Sequence, residues 1–462
     1  MINVYREVNT LDTRCYEKFD LTPDLLMENA INALSNEIQK HNPKDILIIS
    51  GSGNNGADGI ALARMLYAKH NIDLYPILEP KSKMAKLQYK RALAIGLTPI
   101  TNPKINEYDL IVDSIFGSGL SSAMPKNIIS LINQINEAKA IKIACDSPSG
   151  IDINGNIKTT AFKADTTITM GAMKKSLLSD TAKDYVGKIQ IVNLGIDKSI
   201  YQTQTDTFLL ESSDLKLPIR NSENTHKGTF GFASIYSNNG AGILSAKACI
   251  NMGCGKCSII SKENLNIPEY ILQEDTLNKN SNALCIGMGL GFDFDTSSLF
   301  DIDIPILIDA DLFHYKDLSK LLDSKDNLIL TPHPKEFLAL LKNTNLGNYS
   351  IKDYQENRFE LLEKFSKKYP DIVLLLKGAN TVITYKNKTY INNQGNSMLS
   401  FAGSGDILAG IITSLLAQTR CLLDATINGS LIHAMGAKNY SKNNYSFGTQ
   451  DLLKSIKTIQ VI

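Results

Sequence analysis

The sequence has no excess of charge of either sign. Lysine and arginine total 48 and aspartate and glutamate total 47, which leaves a formal net charge of +1 on 462 residues. A strongly basic or acidic balance would attract the whole protein to nucleic acid or to an anionic membrane. We therefore expect no nucleic-acid partner and no membrane partner.

Long apolar runs are also missing. The longest candidate, residues 407–417, is interrupted by Gly410, Thr413 and Ser414 and is shorter than the ~20 residues that cross a bilayer. The N-terminal residues do not have the pattern of a secretory signal. These absences lead us to expect a cytoplasmic protein.

Cysteine is scarce, and its seven residues are an odd number. An odd count without an export signal fits a reducing compartment. Cys254 and Cys257 form a CxxC pair, but no second CxxC or HxxxH follows that would complete a metal site. We interpret the pair as small core residues, with a redox pair as the alternative.

The length of the chain favours two domains, because 462 residues exceed what one hydrophobic core usually serves. The apolar content of 43% and the charged content of 21% are ordinary for a globular protein. Residues 199–224 are polar, contain Pro218 and lack a long periodic segment. We expect the two domains to join there.

The first half repeats a buried strand followed by a polar loop. Residues 45–50 contain the continuous apolar run 46–49, which predicts a buried strand. The glycine loop 51–59 and a helix predicted over residues 60–70 follow it, and this order opens a nucleotide-binding α/β sheet. The spacing is not the dinucleotide GxGxxG. A simple Asn-Gly turn is the alternative interpretation of the loop.

Carboxylates follow two more predicted strands, as Asp113 and Asp146. The carboxyl ends of parallel strands border the crevice in which ligands bind. Asn55, Asp113 and Ser149 offer hard oxygen ligands, which suit an alkali or alkaline-earth ion rather than zinc.

Two lysines follow the predicted strand 166–170, which with strand 188–192 completes the sheet. Lys174 or Lys175 could reach the pocket. We interpret both as solvated surface lysines, because lysine is seldom buried.

Three motifs of this half resemble the NAD(P)H-hydrate epimerase family. They are residues 54–59, 113–119 and 146–150, which occur in the family's order within residues 1–197. The family has glycine where this chain has Ala57. The resemblance implies a Rossmann-like domain that binds a hydrated nicotinamide cofactor and a potassium ion.

Carried over by position, the resemblance implies that Asn55, Asp113 and Ser149 hold potassium. It also implies a cofactor contact for Asp146. Because an epimerisation needs a proton acceptor, we take Asp146 as the general base, with a ribose-binding carboxylate as the alternative. The implied contacts with the hydrated cofactor are Asn54, Asn55, Gly56, Ala57, Asp58, Gly117, Ser118, Gly119, Leu120, Ser121, Ser122, Ala123 and Asp146.

Five predicted strands of the second half end in Gly, Asp, His or Lys. They cover residues 232–236, 284–286, 305–308, 328–330 and 372–376. This pattern predicts one crevice along one edge of a parallel sheet.

Two side chains at these strand ends are candidate ligand contacts. His333 lies between two prolines, which hold the backbone rigid and non-helical. Lys377 and Gly378 could place an ammonium and backbone N–H groups on a phosphate, although the spacing is not that of a Walker P-loop. We interpret His41, His70, His314 and His433 as surface or packing residues.

Small residues lead into Asp406, and a helix-forming run follows it. A glycine turn at a helix N-terminus presents backbone N–H groups and a positive dipole end to a phosphate. Asp406 would lie there as a base, which suits phosphoryl transfer to a hydroxyl. A plain helix cap is the alternative.

Residues 226–454 resemble the ADP/ATP-dependent NAD(P)H-hydrate dehydratase family, within the ribokinase-like fold. Residues 227–231, 309–311, 331–337 and 403–406 carry the resemblance. The family usually has Gly-Ser in place of Asn238-Asn239 and proline in place of Met288. Together the two resemblances imply an α/β protein with an N-terminal Rossmann-like three-layer domain, residues 1–205, and a C-terminal ribokinase-like domain, residues 215–462.

The second resemblance implies phosphorylation of the ring hydroxyl of the hydrate, followed by loss of phosphate. Asp406 would be the catalytic base, and ADP or ATP with Mg²⁺ would be the phosphoryl donor. The substrates would be the hydrates NADHX and NADPHX, and a homo-oligomer is expected. The implied contacts are Ala241, Gly289, His333 and Asp406 with the hydrate, and Lys377, Gly378, Ala379, Asn380, Thr381 and Gly405 with the nucleotide.

Two other functions compete with this one. A ribokinase-like kinase of a small hydroxylated metabolite would share the turn before Asp406. The N-terminal half could instead be a binding module without catalysis, although Asn55, Asp113 and Asp146 are all present.

Overall fold

The structure, a computed structural model, describes residues 1–117, 119, 123–238, 240–291, 294–440 and 443–460. The chain forms two compact units, one of residues 3–205 and the other of residues 1–2 with 206–462. Each unit has its own hydrophobic core. Within the described residues, no helix is long and apolar enough to span a membrane.

The unit of residues 3–205 alternates strands and helices. Its strands are β1 (Ile2–Tyr5), β2 (Asp45–Ser50), β3 (Asn71–Pro76), β4 (Leu110–Ser114), β5 (Ile141–Cys145), β6 (Thr166–Met170), β7 (Met173–Lys174) and β8 (Lys188–Val192). Its helices are α1 (Asn9–Lys18), α2 (Pro23–Gln39), α3 (Asn54–Leu66), α4 (Lys83–Ala94), α5 (Lys126–Glu137), α6 (Lys183–Val186) and α7 (Lys198–Tyr201).

The sheet of this unit is parallel, with its strands side by side in the order β3-β2-β4-β5-β6-β8. Strand β2 shows why its sequence is continuously apolar. Ile46 and Ile48 belong to the core on one face of the sheet, and Leu47 and Ile49 belong to the core on the other. Both faces are therefore covered, which gives the predicted three-layer α/β architecture.

Helix α3 begins earlier than predicted, at Asn54 rather than at residue 60. The residues predicted as a loop therefore form the first turns of the helix. A Cβ atom on Gly56 would overlap the carbonyl oxygen of Gly51, and one on Gly59 would overlap Ser114 Oγ. These glycines allow a close approach of the helix to the strand ends. Asp113, expected just after its strand, lies inside β4.

The unit of residues 206–462 is also an α/β fold. Its strands are β9 (Thr207–Leu209), β10 (Phe232–Tyr236), β11 (Lys256–Ile260), β12 (Leu272–Glu274), β13 (Ala283–Ile286), β14 (Ile306–Ile308), β15 (Leu328–Leu330), β16 (Val373–Leu376), β17 (Thr381–Tyr385) and β18 (Lys388–Asn392). Its helices are α8 (Gly240–Asn251), α9 (Leu318–Ser324), α10 (Pro334–Asn343), α11 (Ile351–Lys368), α12 (Ser404–Thr419), α13 (Leu422–Lys438) and α14 (Thr449–Ser455).

The strands of this unit are ordered β12-β11-β10-β13-β14-β15-β16-β17-β18-β9. Pairing is parallel from β12 to β16, and β17 is antiparallel to both of its neighbours. The carboxyl ends of β13, β14, β15 and β16 therefore lie along one edge, as predicted. Helix α8 begins at Gly240.

The cysteines are free thiols, and six of the seven are buried. Cys254 follows α8, and Cys257 lies inside β11. The Cys254 thiol donates to the carbonyl oxygen of Lys256 at 3.0 Å. The CxxC pair is therefore part of the core, as predicted.

Helices α8 and α12 pack closely because Gly410 has no side chain. A Cβ atom at this position would overlap the carbonyl oxygen of Ser245. We expect Gly410→Ala to lower the free energy of unfolding of this unit by about 1–3 kcal/mol, because the two backbones would have to separate. Urea denaturation followed by circular dichroism measures this change.

Gly395→Ala is the matched control, since its Cβ atom would meet only ordinary contacts beyond 3.5 Å. Its unfolding transition should stay within about 0.5 kcal/mol of the original. Equal transitions for the two variants would contradict the tight packing of α8 against α12.

Candidate functional site

In the first unit, the structure brings Asp113 and Ser149 together at the end of β4. Asp113 is completely buried. Its Oδ1 accepts a hydrogen bond from Ser149 Oγ at 2.7 Å, and its Oδ2 accepts one from the Ser149 backbone N–H at 2.7 Å. Burial raises the pKa of Asp113 to about 6, although the hydrogen bonds from Ser149 lower it. Two of the three predicted metal ligands are thus in direct contact.

Asn55, the third predicted metal ligand, has an unsatisfied side chain. Both polar atoms of its amide are buried, and neither has a hydrogen-bond partner among the described residues. A Cβ atom on Gly117 would lie 3.6 Å from Asn55 Cγ and 3.4 Å from Asp146 Oδ2. A buried amide without partners costs about 1–3 kcal/mol. This cost indicates that a ligand or an ion completes the site.

Asp146 has a left-handed backbone conformation, with φ 67°, which is unusual for a residue other than glycine. Its Oδ1 accepts hydrogen bonds from Lys174 Nζ at 2.5 Å and from the Met170 N–H at 3.2 Å. The Lys174 side chain is fully buried. The prediction of a solvated lysine is therefore wrong for Lys174, because β7 turns this residue inward. Lys175 is only partly buried.

Asp58 lies one helical turn after Asn55 on α3, so the two side chains share a face of the helix. Burial, Asp146 and Asp12 all raise the pKa of Asp58, and Lys174 opposes them. Two carboxyl groups of this site therefore have different environments. Asp146 is bonded to an ammonium, and no such bond to Asp58 is present among the described residues.

The other predicted contacts of the first unit are more dispersed. Asn54 is exposed, whereas Gly56 and Ala57 are buried. The Ala57 N–H donates to the carbonyl oxygen of Gly53. The Ala57 side chain belongs to the hydrophobic core rather than to a pocket surface. Gly119 and Ala123 are exposed. The predicted contacts Ser118, Leu120, Ser121 and Ser122 lie outside the described residues.

In the second unit, the strand ends place an ammonium between carboxylates. Lys377 Nζ donates to Asp309 Oδ1 at 2.6 Å. A Cβ atom on Gly405 would lie 3.3 Å from the same Nζ. Burial and Asp309 raise the pKa of Asp406, and Lys377 opposes them. Lys377, Asp309 and Asp406 therefore form one electrostatic cluster at the start of α12.

The turn before α12 is formed as predicted. Gly403 is the N-cap with φ 93°, and no side-chain hydrogen bond caps the helix. Asp406 lies in the first turn. A simple capping role for Asp406 therefore has no hydrogen bond to support it in the described contacts, and the helix N-terminus faces a cluster that includes Lys377.

His333 caps α10 instead of projecting freely from its strand end. The His333 N–H donates to Glu336 Oε2 at 2.7 Å, and the Glu336 N–H donates to His333 Nδ1 at 3.2 Å. Burial raises the pKa of Glu336 to about 7 and lowers the pKa of His333. The imidazole remains half exposed, so it can contact a ligand while Glu336 fixes its orientation.

The remaining predicted contacts of the second unit differ in exposure. Ala241 is in the first turn of α8, and Gly289 has φ 65°. Gly378 and Ala379 are exposed, and Thr381 begins β17. Asn380 is only 2% exposed, so its side chain faces the interior. Its carbonyl oxygen accepts a hydrogen bond from Arg358 at 2.7 Å, so Asn380 is less accessible to a nucleotide than Gly378 and Ala379.

Three residues near the sites were not recognised in the sequence as part of them. Tyr201 donates to Asp12 Oδ1 at 2.8 Å, which joins the two ends of the first unit beside Lys174. No sequence signal links these positions. His433, interpreted as a surface or packing residue, is partly buried, and its Nε2 lies 3.1 Å from Ser404 Oγ. Its place within the apolar helix α13 was the available signal, since a buried histidine usually has a hydrogen-bond partner.

Comparisons with known proteins match each unit to a different family model. Residues 23–176 match the family model described as "YjeF-related protein N-terminus", and residues 234–459 match that of NAD(P)H-hydrate dehydratase. The bifunctional NAD(P)H-hydrate repair enzyme Nnr of Helicobacter pylori is 40% identical over 99% of this chain and 100% of its own length. This chain belongs to the bifunctional NAD(P)H-hydrate repair enzyme family.

Two further matches have lower sequence identity. The family member from Coxiella burnetii is 32% identical over 85% of each chain. A crystal structure of a ribokinase-like superfamily protein from Enterococcus faecalis is 18% identical, with a TM-score of 0.47, over 56% of this chain and 96% of that protein. Asp12 and Tyr201 lie outside the residues that match the first family model.

Glu336 should make stability depend on pH. The pKa of its carboxyl group is about 7 in the folded protein, above the ordinary value of 4.5. The folded state therefore binds this proton more tightly than the unfolded state, and stability falls as pH rises from about 4.5 to 7. We expect Glu336→Gln to gain about 1–3 kcal/mol relative to the original protein between pH 5 and pH 8.

Thermal denaturation at pH 5, 6, 7 and 8 measures this difference. Glu360→Gln is the control, because Glu360 is exposed on α11, and its difference from the original protein should not change with pH. A constant difference for Glu336→Gln would contradict the elevated pKa.

Proposed function

We propose that the chain is a bifunctional enzyme of nicotinamide nucleotide repair. The first unit interconverts the R and S hydrates of NADH and NADPH, and the second dehydrates the S hydrate with ADP or ATP through a phosphorylated intermediate. Full-length similarity to the Helicobacter pylori repair enzyme supports both activities on one chain. The cluster of Asp406, Lys377 and Asp309 is the structural observation that carries the proposal.

In the dehydratase site, Asp406 accepts the proton of the hydroxyl group on the hydrated ring. Its pKa is raised by burial, which makes the carboxylate a better proton acceptor. The hydroxyl oxygen then attacks the terminal phosphorus of the nucleotide. The backbone N–H groups of residues 403–405 and the ammonium of Lys377 stabilise the negative charge of the transferred phosphoryl group.

The second half of this reaction forms the double bond. The phosphate ester is a better leaving group than hydroxide, so the C–O bond breaks and phosphate departs with the electron pair. Loss of a proton from the neighbouring ring carbon restores the dihydronicotinamide. Ala241, Gly289 and His333 are the proposed hydrate contacts beside Asp406.

The proposed nucleotide site follows β16 and includes Lys377, Gly378, Ala379, Asn380, Thr381 and Gly405. Lys377 already bonds Asp309 at 2.6 Å, and it also lies against Gly405. It can therefore hold a phosphate only where the helix N-terminus does so as well. Bound Mg²⁺ would further neutralise the charge of the phosphate oxygens. Asp309, which bonds Lys377, is a carboxylate that could hold the ion.

In the epimerase site, we propose Asp146 as the general base and potassium as the resident ion. Asp113, Ser149 and the unsatisfied amide of Asn55 provide the hard oxygen atoms that potassium prefers. The ion supplies a fixed positive charge for the phosphate or hydroxyl groups of the substrate. The further hydrate contacts proposed are residues 54–58, 117–123 and Asp146.

We also propose a cytoplasmic homo-oligomer with an epimerase domain of residues 1–205 and a dehydratase domain of residues 215–462. The free thiols suit a reducing compartment. The competing function, phosphorylation of a small metabolite, is distinguished by its product: a kinase leaves a stable phosphate ester, whereas the dehydratase releases free phosphate.

Asp406→Asn should abolish dehydration of the S hydrate and leave epimerisation intact. The amide cannot accept the hydroxyl proton, so the dehydration rate should fall by about 10²–10⁴-fold. Recovery of dihydronicotinamide absorbance with ADP or ATP measures it. If the purified variant still repaired the S hydrate at the original rate, Asp406 would not be the base.

Asp146→Ala is the reciprocal control for this experiment. It should block use of the R hydrate and leave dehydration of the S hydrate unchanged. Loss of both activities in the folded variant would argue against two separate sites.

Potassium should stabilise the protein, and more at pH 8 than at pH 5. The pKa of Asp113 is about 6, so the carboxylate is ionised at pH 8 and mostly protonated at pH 5. At ten times its dissociation constant, a bound ion adds about 1.4 kcal/mol. Thermal denaturation in potassium chloride and in choline chloride of equal ionic strength measures the effect.

Asp113→Asn should remove the potassium effect, because it removes the charge that the ion neutralises. Asp184→Asn, at an exposed position of α6, is the control and should retain it. An equal response to both salts in the original protein at pH 8 would contradict a potassium site.

A further inference from the structure

Lys174 is a charged side chain with no exposure to solvent. Its ammonium donates to Asp146 Oδ1 at 2.5 Å and to Thr169 Oγ1 at 2.8 Å. Removal of an ammonium from water is costly unless the group is paired and hydrogen-bonded. A buried lysine that is held only by these side chains, next to the proposed base, therefore requires an explanation beyond packing.

The ammonium is directed at Asp146 rather than shared among the neighbouring carboxyl groups. Asp12 and Asp58 both interact electrostatically with Lys174. Asp12 Oδ1, however, already accepts the hydroxyl of Tyr201. Of the three carboxyl groups, Asp146 is the one with a described hydrogen bond to Lys174.

The contacts of Asp146 leave one of its oxygens, Oδ2, without a hydrogen bond among the described residues. Oδ1 accepts from both Lys174 and the Met170 N–H, and the Asp146 N–H donates to the carbonyl oxygen of Ile168 at 2.8 Å. Oδ2 lies 3.4 Å from the Cβ position of Gly117, one of the proposed substrate contacts. Oδ1 anchors the carboxylate, and Oδ2 remains for proton transfer.

We infer that Lys174 is a positioning residue for epimerisation: its bond to Oδ1 of Asp146 holds Oδ2 toward the substrate. This inference rests on the proposed epimerase function. Lys174 itself does not contact the substrate, because its ammonium is bonded to the anchored oxygen of the carboxylate. A methionine at this position would leave the Met170 N–H as the remaining described donor to the carboxylate, which could then rotate.

The chemistry that Lys174 supports begins at the hydrated carbon. Water added to the ring double bond beside the nitrogen leaves a hydroxyl on the carbon next to that nitrogen. Asp146 Oδ2 takes the hydroxyl proton, a C=O bond forms, and the C–N bond breaks with its electron pair on nitrogen. The proton then passes from Asp146 to that nitrogen.

Ring closure completes the inversion. The opened chain rotates, the nitrogen attacks the other face of the carbonyl group, and Asp146 moves the proton from nitrogen back to oxygen. No oxidant, reductant or second substrate is consumed. Each half of the cycle needs Asp146 Oδ2 within hydrogen-bond reach of the hydroxyl group and of the nitrogen, which is the orientation that the bond from Lys174 to Oδ1 maintains.

The test compares Lys174→Met with Lys175→Met. Conversion of the R hydrate is followed at several substrate concentrations, and dehydration of the S hydrate by the second unit reports intact protein. In Lys174→Met we expect kcat for epimerisation to fall by about 10–100-fold with little change in KM, because the carboxylate loses the donor that orients it. Lys174→Arg, which keeps a cationic donor, should recover part of kcat. Lys175→Met should keep the original kcat and KM.

Thr169→Val is the second variant, for the case in which Lys174→Met fails to fold. It removes one partner of the ammonium, so we expect a smaller fall in kcat, again with little change in KM. A rise in KM that accounts for the whole loss of kcat/KM, or no recovery of kcat in Lys174→Arg, would indicate a structural role only and would overturn the inference.

The experiment separates the two levels of the argument. If the original protein does not interconvert the hydrates, the proposed epimerase function fails. If the original protein interconverts the hydrates and Lys174→Met matches its kcat and KM for epimerisation, the function stands and the role of Lys174 is refuted.

Discussion

A lysine bonded to a carboxylate is the interaction on which both sites depend. Lys174 bonds Asp146 at 2.5 Å in one unit, and Lys377 bonds Asp309 at 2.6 Å in the other. Each pair stabilises negative charge where water is largely excluded, at a cost that only close hydrogen bonding offsets. In each unit the pair also influences a nearby carboxyl group whose pKa is raised, Asp58 or Asp406.

Close approach of a helix to the strand ends is the second requirement, and glycine provides it. Gly56 and Gly59 bring α3 against Gly51 and Ser114, and Gly410 brings α12 against α8. These contacts place the positive ends of α3 and α12 beside the carboxyl ends of parallel strands. The positive ends of these helices therefore lie close to the charged side chains at the strand ends.

Much of this arrangement was predictable because its determinants are local. Apolar runs identified β2 and β15 to the residue, and the polar residues after such strands identified Asp113, Asp146 and Lys377. The predicted start of α3 was wrong, because a helix N-terminus rich in glycines for close packing has the same sequence pattern as a glycine loop. The burial of Lys174 and the bond between Tyr201 and Asp12 depend on tertiary contacts, which no local pattern encodes.

The first unit is fastened by its own ends. Thr205 Oγ1 donates to the carbonyl oxygen of Val4, Tyr5 donates to the carbonyl oxygen of Thr203, and Tyr201 donates to Asp12. Strand β1 also pairs with β7, some 170 residues later in the sequence. A ribosome that has released only the first half of this unit has therefore not yet supplied the partners of α1 and β1. The contacts of residues 201–205 with residues 4–12 can therefore form only after residue 205 has left the ribosome.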